Sequence, residues 1–147
     1  MSKRILILCT GNSCRSQMAE GLLKSFDKGL QVYSAGTNPA SAVNPHAITV
    51  MSELDLDISE NSPKNVELYI RDSFDFVITV CGNAKETCPV FMGDVKKHLH
   101  IGFEDPADAT GTQEEILNEF RKIRDQIKNT FYDFYIKELK EEKQNEK

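Results

Sequence analysis

Apolar positions along this chain fall into short unbroken runs and longer periodic stretches. Lys3 to Leu8 reads KRILIL and runs into a glycine-containing loop, the mark of a buried parallel strand. Gln31 to Ala35 (QVYSA) predicts a second strand, stopped by Gly36 and Pro39. Phe74 to Val80 (FDFVITV) is β-branched and aromatic and predicts a third, with Cys81 at its C-terminal end. His98 to Gly102 predicts a short fourth.

Between these runs the period changes. Met18, Ala19, Leu22, Leu23 and Phe26 share one helical face, with Ser16 as the expected N-cap, Glu20 as an early acid and Gly29 as the closing residue. Asn44-Pro45 reads as a cap followed by a first-turn proline, opening a helix through Ile48, Met51 and Leu54. Ser62-Pro63 repeats that signal for a helix through Val66 and Ile70. Thr112 to Leu139 carries Ile116, Phe120, Ile123, Ile127, Phe131 and Phe134 at spacings of three and four, a core-facing stripe. Strands alternating with helices predict an α/β domain: a four-stranded parallel sheet flanked by helices on both faces. Residues 1–139 form one expected domain, and 140–147 (KEEKQNEK) an expected frayed tail. Ligands of such sheets bind beyond the strand C-termini, where both Cys9 and Cys81 fall.

Composition narrows the function. The chain has 147 residues, a net charge of −5 and a pI of about 5.2. That balance argues against a general nucleic-acid binder, which needs a basic face, but leaves room for a small local anion site. No run approaches the roughly 18 apolar residues of a membrane span, and Ile5 to Leu8 is too short for a signal-peptide core. A cytoplasmic protein is expected, and a monomer is the simplest state. In a reducing compartment cysteines tend to be catalytic, metal-binding or buried rather than disulfide-bonded. Cys9, Cys14, Cys81 and Cys88 therefore carry information.

Cys9, Thr10, Gly11, Asn12, Ser13, Cys14, Arg15 and Ser16 follow a strand and precede a helix. Backbone N–H groups of such a loop and the helix N-terminus form a concave donor surface for a dianion. The same potential favours the thiolate of Cys9, the reactive form. Arg15 adds a planar fork that holds two oxyanion oxygens. Ser16, with Ser13 as a second candidate, has a hydroxyl to offer the Cys9 sulfur. Asn12 tolerates left-handed backbone geometry. Cys14 reads either as a packing residue of the loop or as a reversible disulfide partner for Cys9.

Cys81 and Cys88 lie seven apart in a polar segment. With His98 and His100 nearby a zinc site is conceivable, although tetrahedral sites usually pair cysteines more closely. Asp105-Pro106 follows the fourth strand, and an acid there can protonate a departing oxygen. Glu104 and Asp108 are its rivals.

The segment CTGNSCRSQMAEG resembles the start of the low-molecular-weight protein tyrosine phosphatase family, and most nearly its thioredoxin-coupled arsenate reductase branch. The resemblance continues through VYSAG (32–36), NPHAI (44–48), VCGNAKETCP (80–89) and FEDPA (103–107). It implies Cys9 as nucleophile, Arg15 as transition-state clamp and Asp105 as general acid. It also implies a relay: arsenate condenses with Cys9, Cys81 attacks the Cys9 sulfur and expels arsenite, and Cys88 then takes over the disulfide, which thioredoxin reduces. Some members carry a potassium ion beside the cradle, and Asn12, Glu20 and Ser34 match its ligands. Phosphatase members commonly place an aromatic after Asp-Pro; here Ala107 suits a small inorganic substrate. The alternatives are a protein tyrosine phosphatase, which needs only Cys9, Arg15 and Asp105, and a non-catalytic redox-sensing or phosphate-binding module.

Overall fold

The computed structural model describes residues 3–81 and 93–140. Four parallel strands, β1 (Arg4–Cys9), β2 (Gln31–Gly36), β3 (Phe74–Cys81) and β4 (Val95–Phe103), lie in the order β2-β1-β3-β4. Three α-helices, α1 (Arg15–Phe26), α2 (Pro45–Ser52) and α3 (Gln113–Phe134), connect or follow them. Strand side chains alternate between two cores. Ile5, Ile7, Phe76, Ile78 and Val80 face the helices and pack with Met18, Leu22, Met51, Phe120, Ile123, Ile127 and Phe131. Leu6, Leu8, Ala35, Phe74 and Val77 face the opposite side, where a 3₁₀ turn at Val66–Leu68 contributes Val66. That turn is the helical element covering this face among the described residues.

Local sequence signals place most element starts. Asn44 accepts from the His46 N–H and Pro45 occupies the first helical turn, as expected for α2. The helix ends at Ser52 rather than Leu54, because the chain turns at Asp55 (φ 62°) and Leu54 and Leu56 N–H both fold back onto the Met51 carbonyl. Helix α3 begins with a capping box: Thr112 accepts from Glu115 N–H and Glu115 accepts from Thr112 N–H. Its last turn widens to a π-turn at Tyr135–Leu139.

Three expectations are corrected. Ser16 does not cap α1; the helix starts at Arg15, Cys14 stands at the cap position without a side-chain bond, and the Ser16 hydroxyl is directed to Cys9. The helix expected from Ser62-Pro63 is a single 3₁₀ turn. The cause is tertiary: Lys64 N–H donates to Asn12 Oδ1, Lys64 C=O accepts from Gly36 N–H, and Asn65 bridges Gly36, so residues 64–65 are held beside β2. Strand β4 starts at Val95, earlier than its apolar pattern suggests, because Phe74 and Phe76 pair with Val95 and Lys97 at an exposed sheet edge.

Candidate active site

Strand β1 ends at Cys9, and α1 begins six residues later with no side chain capping it. Its first-turn N–H groups are therefore available to a ligand, and the helix dipole favours a negative one. Asn12 adopts φ 52°, the left-handed geometry that lets the loop close back over the strand end. The carbonyls of the loop are turned outward and held by a belt: Thr37, Asn38, Ala40 and Asn44 N–H donate to Cys9, Thr10, Gly11 and Ser13 C=O at 3.3, 2.9, 2.9 and 3.0 Å. Outward carbonyls leave the N–H groups facing in, as the Asn12 N–H does, 3.2 Å from Cys9 Sγ. Gly36 permits this closeness, since a Cβ there would lie 2.4 Å from the Thr10 carbonyl oxygen.

Cys9 forms the cradle floor and is 5% exposed. Ser16 Oγ lies 2.9 Å from its sulfur. Asn12 Nδ2 donates to that same hydroxyl at 2.7 Å, so the Ser16 proton points to sulfur. Ser13, the other candidate, sits against Cys14 Sγ instead. The Cys9 thiol is held down to about 6, chiefly by a hydrogen bond from Cys81 and then by Ser16 and the Asn12 N–H, against the cost of burial. Cys14 is buried and pushed up to about 12 by desolvation, with Asp105 and Cys9 adding negative potential. It is a protonated packing residue in this arrangement.

Because β3 lies directly beside β1, its terminal residue Cys81 meets Cys9 across 71 intervening positions. Its sulfur lies 3.6 Å from Thr10 Oγ1, and its thiol is raised well above the ordinary range by interaction with Cys9 and by burial. The sequence placed both cysteines at strand ends; the strand order makes them neighbours. Cys88 lies outside the described residues.

Arg15 spans the other wall. Its Nη1 donates to the Phe103 carbonyl at 3.0 Å, and its Nη2 stands 3.4 Å from Asp105 Oδ2. Its buried Nε has no hydrogen-bond partner among the described residues, so one donor of the fork stays free for a ligand. Asp105 is held in place by its other oxygen, which accepts from the Ala107 N–H and caps the 3₁₀ turn Pro106–Asp108. Glu104 and Asp108, its rivals, are exposed. Ala107 is exposed too and presents no aromatic wall. Among the described residues no cluster of three or more His, Cys, Asp or Glu could hold a metal, and His100 Nδ1 pairs with Thr79 Oγ1 at 2.7 Å.

Two positioning residues escaped sequence reasoning. Gln17 is fully buried and its Nε2 ties the Asn12 carbonyl, Asn12 Oδ1 and the Ser62 carbonyl together. In the sequence Gly36 signals only a strand stop. A buried glutamine one residue past the cradle and a glycine at the end of the neighbouring strand carry no local pattern that sets them apart.

Comparison with known proteins agrees with this geometry. The family model for low molecular weight phosphotyrosine protein phosphatase matches residues 4–145. A protein from Oceanobacillus iheyensis described as an arsenate reductase is 49% identical over 129 residues, 86% of this chain and 91% of its own length. One from Bacillus subtilis with the same description is 44% identical over 134 residues, 90% of this chain and 95% of its own. The solved structure of an arsenate reductase in the phosphate-binding state superposes with a TM-score of 0.78 at 32% identity, covering 92% of this chain and 98% of that one. A low molecular weight protein tyrosine phosphatase from T. tengcongensis shares the fold, with a TM-score of 0.74 at 24% identity.

Proposed function

Since the chain belongs to the low molecular weight phosphotyrosine protein phosphatase family, we propose that it is a thioredoxin-coupled arsenate reductase acting through Cys9, Cys81 and Cys88. The observation that carries this reading is the second thiol: Cys81 ends the strand beside the one that ends at Cys9, with its sulfur 3.6 Å from the Oγ1 of Thr10, the residue after Cys9. Phosphate-ester hydrolysis has no use for it, whereas reduction of arsenate needs two electrons.

The chemistry follows from the placement. Arsenate enters the cradle, where loop N–H groups and the Arg15 fork take its oxygens. The Cys9 thiolate attacks arsenic, forming S–As, and one As–O bond breaks with the oxygen leaving as water, protonated with the help of Asp105. Adduct formation shares a thiolate electron pair with arsenic and removes the negative charge on Cys9, whose interaction with Cys81 is the leading cause of the raised Cys81 pKa. Cys81 then ionises more readily and attacks Cys9 sulfur. A Cys9–Cys81 disulfide forms, the S–As pair of electrons stays on arsenic, and arsenite departs as As(III). Attack by Cys88 on Cys81 frees Cys9, and the Cys81–Cys88 disulfide is passed to thioredoxin by thiol–disulfide exchange. This chemistry suits a reducing cytoplasm.

Cys9, Arg15 and Asp105 are also sufficient for slow hydrolysis of a small phosphomonoester, so residual phosphatase activity is expected. The deciding experiment couples arsenite release to thioredoxin, thioredoxin reductase and NADPH. Cys9→Ser should abolish both activities. Cys81→Ser and Cys88→Ser should lose multi-turnover reduction while keeping phosphatase activity. Full turnover in either relay variant would sink the Cys9/Cys81/Cys88 mechanism; a wild type that hydrolyses phosphomonoesters but releases no arsenite would sink the reductase reading and leave the phosphatase one.

A further inference from the structure

Family resemblance places a potassium ion on Asn12, Glu20 and Ser34. These three side chains do stand together, in a chain of hydrogen bonds, but their oxygens are already engaged, by one another and by Lys64, Gln17 and Lys24. A backbone N–H can only donate, so the Lys64 N–H at 2.9 Å fixes that lobe of Asn12 as its carbonyl oxygen, and Gln17 Nε2 shares it at 3.2 Å. The lobe towards Ser34 is then the NH₂ group, which donates to Ser34 Oγ at 2.9 Å and offers a cation the wrong sign. Ser34 passes its own proton to Glu20 Oε1 at 2.6 Å. Glu20 Oε2 meets the Lys24 ammonium at 2.6 Å, one helical turn along α1.

Glu20 is 5% exposed, so its charge must be compensated locally. Lys24 does this at contact distance. A second ammonium is held beside the same chain of hydrogen bonds: Lys64 gives its backbone N–H to Asn12 Oδ1 at 2.9 Å and its Nζ to the Ser62 carbonyl at 3.0 Å, and its pKa, lowered mainly by desolvation, is pulled back up by Glu20. Access is not the obstacle, because an open cleft of about 490 Å³ is lined by Glu20 and Lys24. At the three matched side chains an added monovalent cation would meet the Lys24 ammonium, the Asn12 NH₂ group and a carboxylate already paired at both oxygens.

We propose that Lys24, backed by Lys64, is the built-in cation of this chain and that the cradle is ordered without potassium. Lys24 is a positioning residue. It fixes Glu20, Glu20 orients the Ser34 hydroxyl, Ser34 orients the Asn12 amide, and that amide aims the Ser16 proton at Cys9.

The test reads melting temperature and the Cys9 thiolate titration, not arsenate turnover, so it stands apart from the substrate assignment. The wild type is measured in KCl, NaCl and choline chloride at one ionic strength, beside Lys24→Gln/Lys64→Gln and the charge-keeping Lys24→Arg/Lys64→Arg. Both lysine heads are partly exposed, so the variants keep the core intact. The wild type and the arginine pair should be indifferent to cation identity. The glutamine pair should titrate Cys9 at higher pH and gain about 3 °C in KCl over choline chloride, with Cys9 returning towards its wild-type midpoint. A potassium-specific rise in the wild type overturns the proposal. So does a glutamine pair that matches the wild type in all three salts.

Discussion

Removing one hydroxyl, Ser16→Ala, isolates what makes the nucleophile reactive. Ser16 Oγ stands 2.9 Å from Cys9 Sγ at a site where both side chains are buried. A hydrogen bond to a buried charge contributes about 1.5–3 kcal/mol, and about 1.4 kcal/mol corresponds to one pKa unit. The Cys9 pKa should therefore climb from about 6 by about 1 to 2. At neutral pH the thiolate fraction would fall from roughly nine-tenths to a half or less. Thiolate absorbance and the pH profile of iodoacetamide inactivation both report this midpoint. Ser13→Ala is the matched control, because Ser13 Oγ faces Cys14 and not Cys9. The sign of the stability effect is fixed as well. Cys9 titrates below its unfolded value of 9.0, so its ionisation stabilises the fold fully above that pH. The stabilisation is lost as pH falls through the folded midpoint near 6. In Ser16→Ala the loss starts from the same unfolded value, is smaller in total and is complete at a higher pH. A variant midpoint equal to the wild type, or a wild-type Cys9 titrating like a free thiol, would refute the reasoning.

Arg15→Lys keeps the charge but loses the fork that spans the Phe103 carbonyl, Asp105 and the ligand; kcat/KM for arsenate should fall roughly 100-fold or more in the coupled assay. Gly36→Ala puts a methyl 2.4 Å from the Thr10 carbonyl oxygen and 3.1 Å from the Asn12 nitrogen. The strain should cost about 1–3 kcal/mol, seen as a lower melting temperature together with weaker phosphate binding. Arg124→Leu strips the buried Val50 carbonyl and Glu53 of a donor held at 2.9 and 2.8 Å. The urea midpoint should drop by the equivalent of about 1–3 kcal/mol at unchanged m-value, with Cys9 titration unaltered because the contact joins α2 to α3 away from the cradle.

The cradle was legible because it is contiguous. Eight residues specify a strand end, a left-handed turn at Asn12 and a helix start, and all of that is local conformational preference. The strands β1 to β3, the cap of α2 and the stripe of α3 were legible for the same reason: their periods and caps act within a few residues. Resemblance supplied the role of Asp105, which the Asp-Pro turn alone left open among three acids.

What the linear chain left undecided is what depends on pairing across long separations. The Ser62-Pro63 start signal loses because the Lys64 backbone is claimed by Asn12 and Gly36. The extent of β4 follows from its partner β3 and not from its own exposed residues. Residue types can mark Cys9 and Cys81 as thiols at two strand ends, and Lys24 as one more helix-surface lysine. Only the sheet order brings the two strand ends together, and only the packing of α1 on β2 sets a buried carboxylate between that lysine and the nucleophile's hydrogen-bond chain. Local preferences act over a turn of helix. Electrostatics and hydrogen bonds act through space, and the tertiary fold decides which groups are near enough to feel them.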